Sequence, residues 1–135
     1  MAVYMLSSEY LALNGVDRSA HVKSATLTVD AAELDTTDFA SGGWKECQAG
    51  IKSGQLSITF QDDVTDASID DILWAIFATV VTFEVRPTSS SVSTNNPKYT
   101  GSVLIKGHSI GGGVGELAMK QVTYPTSGTI TRAEA

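Results

Sequence analysis

The chain reads as mainly β: an antiparallel sandwich or partly closed barrel with one flanking α-helix. Three observations point there. Runs with an apolar residue at every second position recur along the sequence, as in strands with one buried face. Turn-forming stretches separate them, among them Asn14-Gly15, the proline-bounded residues 87–97 and the run Gly111-Gly112-Gly113. Only one stretch, within residues 66–87, carries apolar residues at helical spacing. A length of 135 residues gives room for one domain with a real core, expected to span 1–135, and too little for two.

In chain order, residues 10–13 predict a short strand that Asn14-Gly15 returns as a hairpin. In 21–34, Ala25, Leu27, Val29 and Ala31 alternate with Ser24, Thr26, Thr28 and Asp30, which predicts a half-buried strand. From 35 to 54 the alternation stops. That stretch contains Gly42, Gly43, Gly50 and Gly54, and no regular element fits it, so a long loop is expected, which in a compact domain tends to be functional or mobile. Phe39, Trp44 and Ile51 stand in it as large apolar residues without periodic neighbours. They either fold back on their own core, as in a packed Ω-loop, or dock on another subunit, where aromatic anchors concentrate.

Alternation resumes at 55–60, with Leu56, Ile58 and Phe60 inward. Beyond it, Ile69, Ile72, Leu73, Ile76 and Phe77 make one helical stripe. Ser68, with Asp71 three residues on, reads as its cap, and Asp70 and Asp71 sit where the helix dipole favours negative charge. Trp74 lies off the stripe and is a fourth candidate to face a neighbour. After Thr79 the period changes to two, with Val81, Phe83 and Val85 alternating until Pro87 ends the strand. This helix is expected to lie across a sheet and cover its apolar face. Strands at 98–105, 117–124 and 128–132 bring the number to six or seven.

Composition excludes several functions. Nine basic residues against fifteen acidic give a net charge of −6, which disfavours general nucleic-acid binding, since phosphate contact needs clustered Lys and Arg. Cys47 is the only cysteine, so neither an internal disulfide nor a cysteine zinc site forms. The start, MAVYMLSSEY, lacks the basic region and long apolar core of a signal peptide. Residues 72–83, the longest apolar run, fall short of the ~20 that span a bilayer. A soluble protein without a membrane anchor, made in the cytoplasm, is expected.

Catalytic and cofactor patterns are missing. The glycine run has no Gly-Lys-Ser/Thr after it and no GxGxxG spacing, so a hairpin turn is preferred to a phosphate cradle. His21 and His108 lack metal-ligand spacing and read as surface or strand-edge histidines. Cys47 has no histidine nearby, no GxSxG elbow occurs, and only a triad assembled through space remains open. Asp62, Asp63 and Asp66 are the one carboxylate set that suits a weak cation site, although capping and solubility explain them more simply. No enzyme activity, cofactor or metal is expected.

The ordered set NGVDRSAHVKSATL (14–27), SGQLSITFQDD (53–63), LW (73–74), FEVRPTSSSVSTNNPKYTG (83–101), GGGVGELA (111–118) and GTITRA (128–133) resembles the major tail tube protein of long-tailed bacteriophages. Order and spacing carry the likeness, from about residue 8 to the end. It implies a sandwich-like subunit with one flanking helix, self-assembling into rings, typically sixfold, that stack into a hollow virion tail tube. Genomic DNA would pass through an acidic bore without sequence-specific binding, and tape measure and tail-end proteins would be further partners. The resemblance also implies that the 35–54 loop contacts adjoining subunits or rings. A related assembly, a gene-transfer particle or a contractile secretion tube, would share this fold and stands as an alternative to a phage tail. The rival readings are a monomeric β-sandwich binding module, with Trp44 and Trp74 as its platform, and a tail terminator that does not polymerise.

Overall fold

The computed structural model describes Met5 and residues 8–63 and 68–134. Asp66, one of the three carboxylates of the sequence-predicted cation site, lies outside them. Among the described residues eight strands form two antiparallel sheets. The first has the order β2-β1-β5-β6-β8, from Val16–Asp17, Tyr10–Leu13, Val80–Arg86, Lys98–Leu104 and Thr131–Ala133; the second has β3-β4-β7, from Val22–Asp35, Cys47–Gln61 and Met119–Pro125. Among the described residues no barrel closes. The sheets are stitched where Val103 bridges Thr126 and the Ser127 amide donates to the Ser102 carbonyl at 2.8 Å.

The alternation read from the sequence does the packing. Leu11 and Leu13 from β1, Leu56, Ile58 and Phe60 from β4, and Val81, Phe83 and Val85 from β5 are buried in one core with Val103, Ile105, Val122 and Tyr124. Each such aliphatic or aromatic side chain stabilises the fold by roughly 1.5–3 kcal/mol. Asn14 and Gly15 both take positive φ, 57° and 78°, as a two-residue type I′ hairpin turn requires. Between β5 and β6, buried Asn96 organises the polar connection: its amide donates to the Ser90 carbonyl at 2.9 Å and accepts from the Thr88 amide at 3.1 Å.

Several expectations are corrected. The predicted 35–54 loop is mostly strand. β3 runs on to Asp35 and β4 starts at Cys47, and they pair from Val22 to Asp35, so only 36–46 remain as a hairpin tip. The helix is shorter than its stripe: α1 is Ile69–Ala75, burying only Ile69 and Leu73. Ala78, at φ 66°, turns the chain into the left-handed region and sends its amide to the Ile105 carbonyl at 2.7 Å, which starts β5 early. A seven-residue helix is about 10 Å long, too short to cover a sheet, and the two sheets cover each other instead. Ser68 occupies the N-cap position but its side chain makes no capping bond. Finally, the glycine run is not a hairpin turn, because β6 and β7 belong to different sheets; residues 105–118 cross between them.

Candidate subunit interface

Beyond Thr28 the β3–β4 hairpin leaves the core. The chain exits at Gly54, where a Cβ would stand 2.8 Å from Ile130 Cδ1 and 3.0 Å from the Thr28 carbonyl oxygen, so only glycine fits without displacement. From there to the tip the alternating positions that were expected to be half-buried, Val29 and Ala31, face solvent. Register slips between Ala31 and Glu33: β3 advances two residues while β4 advances three, from Lys52 to Ala49. The extra residue is a β-bulge on β4 at Gly50-Ile51. Ile51 stands there 84% exposed.

The tip is a polar scaffold that turns aromatic residues outward. The Asp35 carboxylate accepts the Thr37 amide at 2.9 Å, and the Thr37 hydroxyl accepts the Glu46 amide at 2.7 Å, which clamps the two ends. Asp38 accepts the Ala40 amide at 2.9 Å, closing a 3-10 turn, Phe39–Ser41, that ends in left-handed Gly42. The Thr37 backbone N–H, then its hydroxyl, hold the Asp35 carboxyl below the usual carboxylate range. At the tip, Phe39 and Trp44 have no core to enter. They are 109% and 80% exposed.

Trp74 is placed on a different element. It projects from α1, 62% exposed, with Phe77 stacked on it at a centroid distance of 5.6 Å and His108 edge-on at 5.2 Å. Behind this aromatic shelf is a charged cluster. His108 Nε2 contacts Asp70 Oδ1 at 3.2 Å, and Lys120 Nζ, wholly buried, contacts the same oxygen at 2.7 Å and Asp62 Oδ2 at 3.6 Å. Lys120 also donates to the Ser109 carbonyl. The hydrogen bond from Lys120 lowers the Asp70 carboxyl pKa against the opposing effect of desolvation. So one lysine on β7 ties the helix, the 105–118 crossover and the end of β4 together.

The structure thus groups Phe39 and Trp44 at the tip, sets Ile51 lower on the same arm, and keeps Trp74 apart on α1. Sequence reasoning missed the Lys120 cluster, because its members are distant in the chain and a lysine in an alternating strand reads as solvent-facing. His108 is not a simple strand-edge histidine but a half-buried partner of Asp70.

The other chemical options resolve geometrically. Ser68 Oγ and Asp63 Oδ2 approach His21 at 3.5 and 3.6 Å, but both do so at Nε2; a nucleophile relay needs the carboxylate on the opposite ring nitrogen. Asp62 faces Lys120 rather than a vacant cation site. Among the described residues no three His, Cys, Asp or Glu side chains converge to hold a metal. Cys47 is free and exposed at the base of the tip. A groove of about 460 Å³ lies beside the start of β1 and is lined by Glu9, Ser19, Lys23 and Ser89; burial pushes the Glu9 carboxyl up.

No protein-family model matches the chain, and no curated protein matches it in sequence. Solved structures do match in three dimensions. A chain of the virion of a native gene transfer agent particle superposes with a TM-score of 0.68 at 19% identity, covering 84% of this chain and 85% of that one. A chain of the tail of an empty gene transfer agent particle, a tail of C6 symmetry, gives 0.63 at 18% identity over 82% and 81%. The fold is therefore one that virion and tail particles use. At the level of fold it agrees with the tail-tube resemblance carried by the sequence.

Proposed function

We propose that the chain is a structural virion protein that associates with copies of itself in sixfold rings, and that the rings stack into a tail tube for genome delivery. The observation that carries this reading is the fold match, across more than four-fifths of each chain, with a chain of a C6-symmetric tail. The projecting arm supports it. A two-stranded ribbon without a third strand is marginal in water, and one carrying Phe39, Trp44 and Ile51 outward gains most from a neighbour. The mechanism is geometric and electrostatic rather than catalytic. Subunit pairing satisfies open strand edges, and a net charge of −6 keeps DNA from adhering as it passes. Tape measure and tail-end proteins would meet the tube at its ends.

Replacing an arm aromatic separates assembly from folding. Trp44→Ala is expected to leave the unfolding transition within about 0.5 kcal/mol of wild type, as for exposed surface positions, while sharply reducing the fraction of protein that sediments as large assemblies. Wild-type sedimentation by that variant would refute the role of the arm.

A further inference from the structure

Among the described residues thirteen large hydrophobic side chains are exposed, and they are not scattered. Five lie on the arm. Six more are Trp74 on α1, Phe77 in the turn after it, Val80 at the start of β5, and Ile110, Val114 and Leu117 on the 105–118 crossover. A ring or stack of identical subunits that is not built from twofold pairs uses a heterologous contact, in which one patch on each copy meets a different patch on the next. Two separate apolar patches on one chain are what such a contact requires.

We propose that the Trp74–Phe77 shelf is the acceptor for the hairpin tip of a second copy of this chain, with Phe39 and Trp44 seated against it. The proposal rests on the assembly reading in needing a second copy, and adds to it the surface that receives the arm. Size fits: residues 28–53 are exposed except at Ser41 and Gly50, and a standard interface uses roughly 20–30 residues a side. Preorganisation fits. Phe77 and His108 hold the Trp74 ring between them, His108 is held by Asp70, and Asp70 by buried Lys120, so little rotamer freedom is lost on docking. Paired aromatic anchors of this kind are where binding energy concentrates.

Disulfide trapping tests it in the full chain. In a Cys47→Ser background, the pair Phe39→Cys and Phe77→Cys, both exposed positions, is oxidised at assembling concentration and run on a non-reducing gel. A ladder of dimers, trimers and longer chains from the pair, with neither single variant giving one, is expected. Rings or tubes seen in the microscope whose gel shows monomer alone would overturn the shelf contact and leave the assembly reading standing, whereas wild-type protein that never assembles would overturn both. As a second measurement without new cysteines, Trp74→Ala should raise the concentration needed for assembly at least about tenfold; an unchanged threshold overturns the proposal.

Discussion

Lys120 carries the largest single consequence in the fold. Its ammonium is wholly buried and faces Asp62 and Asp70, so Lys120→Met leaves a carboxylate buried without its cation. Breaking one side of such a pair costs roughly 3–5 kcal/mol, and urea denaturation should show a loss of that order. The lowered Asp70 carboxyl also sets a pH dependence. A depressed carboxylate stabilises the fold above its unfolded pKa, about 3.9, and the contribution is lost as pH falls through the folded value. Stability should therefore hold from neutral pH to about pH 5 and fall below pH 4, with a shallower fall in Asp70→Asn. Tyr124 is the opposite case. Its hydroxyl is buried without a hydrogen-bond partner among the described residues, and burial pushes its pKa up to about 12. Tyr124→Phe removes an unsatisfied polar group and is expected to stabilise the fold by about 1 kcal/mol, read as a higher midpoint of thermal unfolding.

At the scale of elements, the turn after α1 and the arm show what a sequence reveals and what it conceals. Ala78 adopts a left-handed conformation that suits glycine, so Ala78→Gly should raise stability by about 1 kcal/mol; a loss would mean that the turn is held by something other than local backbone preference. Strands whose alternation faces the core were legible throughout: Leu56, Ile58 and Phe60 are buried as their spacing indicated. The outer arm was not legible because neither face of it meets a core. Gly50, Lys52 and Ser53 give no period, and the bulge at Gly50-Ile51 breaks what alternation exists. Helix length failed for a related reason. Ile76 and Phe77 continue the stripe, but the β-branched run Thr79-Val80-Val81 favours strand, and that preference won over spacing.

For the whole molecule, a mainly β antiparallel fold, sandwich or partly closed barrel, with one helix was readable from residues alone, and the tail-tube likeness came from the order of segments rather than from any one motif. The similar solved chains share under a fifth of their residues with this one, so what they have in common with it is the fold. The candidate interface was half legible. Phe39, Trp44, Ile51 and Trp74 are exposed as an interface needs, but their division into an arm and a separate shelf, and the Lys120 cluster behind the shelf, exist only in three dimensions. Electron microscopy of the concentrated purified protein tests the central claim most directly. Sixfold rings and hollow tubes of uniform diameter are the expected result. Particles that stay monomeric at every concentration, even with a tail-end complex supplied, would contradict the account.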